Sequence, residues 1–185
     1  MGFVSRFLER RNWRRRARTY VAVLQREPAE ADVRWLAELE PRHDLDHARW
    51  ELRYARLALG QIEAERAALD DRAPAVIARE LVLSLGGDQR VAAGMLETAQ
   101  RQLGIRLRRY REAAARRADR DPLAIRLGRE LLAFTHGERS RDKATVERAG
   151  ELLRRYTGEF NLALQDVFGR AALPEDVRPS EVSAA

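Results

Sequence analysis

The chain has 185 residues, of which 45% are hydrophobic and 35% are charged, and its formal net charge is +6. This length and apolar content suffice for one domain with a buried core. The absence of cysteine excludes disulfides, thiolate metal ligands and a cysteine nucleophile. The sequence has no run of about 18 apolar residues and no signal-peptide pattern at its start, so we expect a cytoplasmic protein.

The first predicted helix, over residues 3–26, carries most of the positive charge. Residues 1–26 contain eight arginines and one glutamate, a net charge of +7, whereas residues 27–185 have a net charge of −1. One apolar stripe at helical spacing consists of Ala17, Tyr20, Val21 and Leu24. Arginines crowd the middle of this helix, which makes that part poorly suited to burial. We therefore expect its C-terminal half to pack on the protein and its N-terminal half to project.

Prolines delimit the second predicted helix, over residues 29–40, because Pro28 suits a first helical turn and Pro41 ends the pattern. The third predicted helix covers residues 44–71. Its apolar residues alternate in steps of three and four, which is the heptad spacing of left-handed bundles: Leu45, Ala48, Leu52, Ala55, Leu59, Ile62 and Leu69. A second stripe predicts contact with two neighbours and thus a central position: Trp50, Tyr54 and Leu57.

A short apolar helix is predicted over residues 74–85, and the glycine pair at 86–87 ends it. Asp88 is the expected N-cap of a long fifth helix over residues 88–118. One face of that helix is predicted to meet the core: Val91, Met95, Ala99, Leu103, Leu107, Tyr110 and Ala114.

The last two helices are predicted over residues 121–135 and 142–170. Asp121 and Pro122 suit the cap and the first turn of the earlier one. The final helix has the most regular heptad in the chain: Val146, Ala149, Leu153, Tyr156, Phe160, Ala163 and Val167. Prolines and small residues follow it, which predicts a disordered tail over residues 174–185.

Together these elements predict an all-α fold, a helical bundle with three or four long helices and shorter connecting helices. The predicted organisation is a basic, partly projecting N-terminal helix (1–26), a bundle (27–173) and a tail (174–185). The aliphatic residues are adequate rather than abundant, so a second copy of the chain is one way to cover the remaining apolar faces. A homo-oligomer is therefore an open alternative.

Residues 43–47 read His-Asp-Leu-Asp-His, and two histidines at i and i+4 on a helix can bind one metal ion. The spacing resembles the H-E-x-x-H motif of zinc proteases, with Asp44 where that family has its catalytic glutamate. The resemblance covers five residues, and aspartate is one methylene shorter than glutamate. Capping of the third helix by Asp44 or Asp46, with solvated histidines, explains the same segment.

Other catalytic patterns are missing from the sequence. It contains no phosphate-binding glycine loop after a strand and no G-x-S-x-G elbow. Glu51, one turn after His47, is a candidate third metal ligand. Four further carboxylates fall on polar helix faces and are predicted to be solvated: Glu63, Glu65, Glu80 and Glu97. We predict neither a catalytic residue nor a cofactor.

The basic first helix is the strongest candidate for function. Arginines bind phosphates and carboxylates bidentately, and their local charge favours an anionic partner. Aromatic side chains in the same helix suit a lipid interface or a partner groove. The predicted binding residues are Phe3, Phe7, Arg10, Arg11, Trp13, Arg14, Arg15, Arg16 and Arg18. The resulting hypothesis is a non-enzymatic interaction or scaffold protein that docks on an acidic protein, an anionic membrane surface or nucleic acid.

Three alternatives stay open. The basic helix can instead lie across residues 27–72, whose net charge is −5. The enzymatic alternative is a metal-dependent hydrolase centred on His43 and His47. A nucleic-acid-binding protein would add a second basic stretch to the same arginines: Arg106, Arg108, Arg109, Arg116 and Arg117. If the partner is a membrane surface, we expect the protein at the periphery of the membrane.

Overall fold

The computed structural model describes residues 3–67, 72–116, 120–135 and 142–169, with the backbone alone for residues 3–10. The predicted all-α fold is confirmed, because every regular element in these ranges is a helix. In chain order the helices are α1 (Phe3–Leu24), α2 (Glu30–Ala37), α3 (Leu45–Ala67), α4 (Arg72–Gly86), α5 (Leu96–Ala115), α6 (Leu123–Ala133) and α7 (Lys143–Phe168).

Helix α3 lies at the centre of the bundle, as its two apolar stripes predicted, and it contacts α1, α2, α4, α5 and α7. Its heptad residues from Ala48 to Ile62 are buried. Leu45 was predicted to belong to the same seam, but it is 45% exposed because it is the first residue of α3. Leu69 lies outside the described residues.

The C-terminal half of α1 packs against α3, α4 and α7. The predicted apolar stripe is buried: Ala17, Tyr20, Val21 and Leu24. The Tyr20 hydroxyl donates a hydrogen bond to the backbone oxygen of Gly60 at 2.9 Å. Because Gly60 has no side chain, Leu24 packs directly on α3, and a Cβ at Gly60 would overlap the Leu24 side chain. These contacts fix α1 along the bundle.

Arg56 of α3 fastens the C-terminal end of α1. Its guanidinium donates to the backbone oxygens of Val23 at 2.9 Å and Leu24 at 3.2 Å. Carbonyls in a last helical turn have no donor within the helix, so Arg56 satisfies two of them. The same guanidinium pairs with Glu159 of α7 at 3.0 Å and lies 4.7 Å from the centre of the Tyr156 ring. One side chain thus joins α1, α3 and α7.

The start of α5 differs from the prediction. Residues 88–95 form turns, and the helix begins at Leu96. The Asp88 carboxylate accepts hydrogen bonds from the backbone nitrogen of Arg90 at 3.0 Å and from its side chain at 2.7 Å, instead of capping a helix. Gly94 has a φ of 80°, a left-handed conformation that interrupts helical geometry. Met95, predicted to face the core, is consequently 49% exposed.

Two predicted features concern residues that the structure does not describe. The predicted disordered tail, residues 174–185, lies outside the described ranges. The predicted projection of the N-terminal half of α1 depends on side chains before residue 11, which also lie outside them. Both stay predictions.

Candidate functional site

The arginines at residues 10–18 of α1 form the basic segment, and those at residues 11–18 have few partners among the described residues. Arg11, Arg14 and Arg15 are exposed, and no carboxylate of the described residues pairs with them. Arg15 makes one side-chain hydrogen bond, from its Nη2 to Asn12 Oδ1 at 3.4 Å. Arg16 is partly buried and likewise has no ion pair in the described part of the chain.

Two arginines farther along form ion pairs with acids of the same chain. Arg18 Nε donates to Glu80 Oε2 of α4 at 3.1 Å, and Arg26 Nη1 lies 3.6 Å from Glu159 Oε1 of α7. Glu80, predicted to be solvated, is in fact 5% exposed, because α1 covers it. Neither acid belongs to residues 27–72, the segment proposed as an internal partner for the basic helix.

Trp13, a predicted binding residue, packs within the protein. Its ring centre lies 5.7 Å from that of Phe168, at the end of α7. The Arg72 guanidinium, at the start of α4, lies 4.8 Å from the Trp13 ring centre. Trp13 therefore holds α1 against two neighbours. The side chains of Phe3, Phe7 and Arg10 lie outside the described residues.

A cluster of charged side chains surrounds His47. Its Nδ1 lies 2.9 Å from Glu40 Oε1, and its Nε2 lies 3.4 Å from Glu51 Oε1. Glu51 is 2% exposed and pairs with Arg106 of α5, whose Nε donates to Glu51 Oε2 at 3.1 Å. Two carboxylates thus face two basic groups at the junction of α2, α3 and α5.

The carboxylates decide the charge state of His47. Burial disfavours the imidazolium and lowers its pKa, but the hydrogen bond to Glu40 and the charges of Glu40, Glu51 and Asp44 outweigh burial. The pKa of His47 is therefore raised above its usual value. A protonated ring donates through both nitrogens and satisfies both acids. Together with Arg106 it balances the charge of the cluster, which is what a stabilising role requires.

The predicted metal ligands, His43 and His47, do not lie on neighbouring turns of one helix. α3 begins at Leu45, so His43 precedes it, and His43 is exposed with a φ of 48°. Asp44 caps α3, as one prediction had it, because its Oδ1 accepts from the backbone nitrogens of Asp46 and His47 at 3.0 Å each. Among the described residues, no group of three or more histidines and acids is placed to hold a metal ion.

The second basic stretch, on α5, has ion-pair partners for two of its five arginines among the described residues. Arg106 is buried with Glu51, and Arg109 Nε donates to Glu130 of α6 at 2.9 Å. Two others are exposed with no partner in the described ranges, Arg108 and Arg116, while Arg117 lies outside those ranges. Helix α5 lies along the side of α4 opposite to α1, so the two basic stretches form separate surfaces.

Sequence reasoning identified His47 and Glu51 but missed two of their partners. Glu51 follows His47 by four residues, so their contact was predictable from helical spacing. Glu40 lies across a loop, and Arg106 comes from a helix 55 residues away, so no local pattern indicates either. The available signal was an arginine three residues after Leu103, on the inward face of α5.

No family model, curated protein or solved structure matches the chain. In the part of the chain that the structure describes, none of the helices has the length and apolarity needed to cross a bilayer.

Proposed function

We propose that this chain is a non-enzymatic interaction protein that docks on an anionic partner through the basic segment of α1. One observation carries the proposal: Arg11, Arg14 and Arg15 are exposed and have no carboxylate partner among the described residues. Elsewhere in the bundle, arginines such as Arg56 and Arg106 are held by acids of other helices. In α1, three such unpaired guanidinium groups lie within five consecutive residues.

The spacing of these arginines places them together. Arg11, Arg14, Arg15 and Arg18 follow one another at i, i+3, i+4 and i+7, so they share one face over two turns, roughly 10 Å. Arg18 is fixed at the inner end by Glu80. Guanidinium groups in this arrangement can bind phosphate or carboxylate groups that lie a few ångströms apart on a partner.

The helices around α1 leave its first turns uncovered by their described parts. Helix α4 starts beside Trp13, with Arg72 on its ring, and runs parallel to α1 towards the pairing of Glu80 with Arg18. Helix α7 approaches from the other direction and ends at Phe168, again beside Trp13. The described parts of α4 and α7 thus begin and end beside Trp13, and the projection of residues 3–12 past them stays a prediction.

The same geometry gives less support to the two alternatives. A nucleic-acid-binding protein of the kind expected from the sequence would combine two basic stretches, but those on α1 and α5 lie on opposite sides of α4. A hydrolase at His43 and His47 would need a metal site, and His47 is instead held by Glu40 and Glu51. Our proposal places the protein in the cytoplasm, at the membrane periphery when its partner is lipid.

A charge reversal tests the proposal. The variant Arg11→Glu/Arg14→Glu/Arg15→Glu is compared, as full chain, with Arg42→Glu/Arg116→Glu/Arg120→Glu. The control arginines are also exposed and unpaired among the described residues, so the change in net charge is the same. The probes are vesicles with phosphatidylserine, a short DNA duplex and polyglutamate, each titrated at low and physiological salt.

We expect the wild type to bind at least one of these anions, with an affinity that falls as salt is added. The first variant should lose about tenfold or more, because each basic group near an anionic surface is worth about 1 kcal/mol. The control variant should change far less. Binding to none of the three probes, or equal loss in both variants, overturns docking by the basic segment. Preference for the duplex alone selects the nucleic-acid alternative.

A further inference from the structure

An apolar groove lies between α4 and α5, with α3 as its floor. Its volume is about 190 Å³. Leu57 of α3 forms part of the floor, Ala78 and Val82 belong to one wall, and Gly104 and Leu107 belong to the other. The groove is separate from the basic segment, because α1 packs on the other side of α4.

The groove is open because both of its walls carry small residues. The end of α4 is close to the start of α5, since a Cβ at Gly86 would lie 3.7 Å from Leu96 Cδ2. Farther along, Ala78 and Gly104 line the two walls, and a Cβ at Gly104 would meet no atom within 4 Å. Space for a side chain is therefore available inside the groove.

The rim of the groove exposes an apolar side chain, and the floor contains a buried amide oxygen without a hydrogen bond among the described residues. Val82, on the α4 wall of the groove, is 51% exposed. Gln61 lines the floor and donates through Nε2 to Glu65 at 2.9 Å, but its buried Oε1 has no hydrogen-bond partner in the part of the chain that the structure describes. Such a buried acceptor is uncommon in a finished core.

The rims of the groove are positively charged. Arg101 and Arg108 stand three residues before and four residues after Gly104, one turn away on each side. Arg79 stands three residues before Val82 on α4. All three arginines are exposed and have no carboxylate partner among the described residues. Glu97 and Glu112 share this face of α5 by helical spacing, so these five side chains carry a net charge of +1.

The length of the groove fits a helix. Its walls run from Ala78 to Leu85 on α4 and from Gln100 to Leu107 on α5, each about 10 Å or two helical turns. A helix laid into such a groove anchors itself with apolar side chains at i, i+3 or i+4, and i+7. The side chains on its outer face would lie beside the three rim arginines.

We infer that this groove binds an acidic amphipathic helix of a partner protein. The apolar face of that helix fills the space beside Gly104, and its glutamates or aspartates meet Arg79, Arg101 and Arg108. The inference goes beyond the proposed function, because it assigns a second surface on the opposite side of α4. With both surfaces occupied, the chain bridges an anionic partner and a helical one.

The test uses two labelled peptides of about 18 residues with identical leucines at i, i+3, i+4 and i+7. One has glutamate at its charged positions and the other has lysine. Anisotropy titrations with the full chain should show binding of the acidic peptide and at least tenfold weaker binding of the basic one. The variant Arg101→Glu/Arg108→Glu should reverse this preference.

A filled groove provides the second arm of the test. Gly104→Leu should weaken binding of the acidic peptide at least tenfold, because the new side chain occupies the site of a peptide leucine. Gly158→Leu on α7 is the matched control, since a Cβ at Gly158 also meets no atom within 4 Å. It should leave the affinity within twofold of the wild type. Circular dichroism and thermal unfolding establish that both variants fold.

The charge-reversal variant at Arg11, Arg14 and Arg15 separates this inference from the proposed function. Peptide binding should persist in it, whereas binding of the anionic probes is lost. Three results overturn the inference. They are no binding of the acidic peptide to the wild type, the same peptide affinity for Gly104→Leu as for the wild type, and loss of peptide binding in the charge-reversal variant. Concentration-dependent dimerisation that Gly104→Leu abolishes overturns it as well, because a second copy then occupies the groove.

Discussion

Gly128 of α6 and Gly150 of α7 meet backbone to backbone. A Cβ on Gly128 would lie 2.7 Å from the backbone nitrogen of Gly150, closer than real Cβ contacts come. A Cβ on Gly150 would lie 2.6 Å from the backbone oxygen of Ala124. Backbone atoms inside helices cannot rotate away as a flexible side chain can. The close packing of α6 on α7 therefore requires glycine at both positions.

Gly128→Ala should lower the free energy of unfolding by about 1–3 kcal/mol, because the helices must separate to admit the methyl group. The loss should appear although alanine gains about 1 kcal/mol of helix propensity over glycine. Gly158→Ala is the control, since its Cβ has open space and only the propensity gain applies. Urea unfolding measures both. A Gly128→Ala protein as stable as Gly158→Ala would contradict the crossing geometry.

The ion pair between Arg106 and Glu51 leads to a second prediction. Arg106→Met leaves the buried Glu51 carboxylate with His47 as its remaining charge partner among the described residues, so the free energy of unfolding should fall, by at most about 3–5 kcal/mol. The methionine chain can occupy the place beside Phe134, whose ring centre lies 4.2 Å from the guanidinium. Adding Glu51→Leu should recover more than half of the loss, because no unpaired charge remains at that position. An additive double-mutant cycle would show that the pair is uncoupled.

Regular apolar spacing predicted the parts of the fold that depend on repeating burial. The heptads of α3 and α7 are buried over most of their length because each helix packs against neighbours along its axis. The predicted start of α5 was wrong because a local hydrogen bond of Asp88 competes with helix capping there. Asp88 is an acceptable N-cap by residue type, but its carboxylate binds Arg90, and Gly94 turns the chain. Residue type alone does not decide between these outcomes.

The candidate sites were predictable only where their residues belong to one helix. Clustering along the chain indicated the basic segment, because charges within one helix stay together after folding. Glu80 was predicted to be solvated, and Arg106 was predicted as part of a possible nucleic-acid surface, because their partners, Arg18 and Glu51, come from other helices. The groove was not predictable, since it depends on how α4 and α5 sit over α3.

A third prediction concerns pH. The raised pKa of His47 means that the folded protein binds its proton more tightly than the unfolded chain, whose value is near 6.5. The stabilisation is fully present below pH 6.5 and is lost as the pH rises through the folded-state pKa. His47→Gln should therefore be less stable than the wild type at pH 6, with a difference that shrinks in alkaline solution.

Nuclear magnetic resonance of the His47 ring reports the same pKa directly. Glu40→Gln removes the carboxylate at 2.9 Å from Nδ1, so the pKa of His47 should fall in that variant. A stability difference that does not vary between pH 6 and pH 9 would show that the cluster does not bind this proton.

The last prediction concerns how the basic helix is held. Arg56 donates to the backbone oxygens of Val23 and Leu24, so Arg56→Met removes two side-chain donors from the last turn of α1. It also leaves Glu159 paired with the exposed Arg26 alone. Hydrogen exchange at residues 20–26 should rise more than exchange in α6, because the hydrogen bonds and the ion pair of Arg56 go to α1 and α7. Arg49→Met, which removes an exposed pair with Glu30, is the control and should leave exchange in α1 unchanged.

Uniformly faster exchange throughout the chain would mean that Arg56 stabilises the whole bundle. Retention of slow exchange at residues 20–26 would mean that the Tyr20 and Leu24 contacts with Gly60 suffice to hold α1.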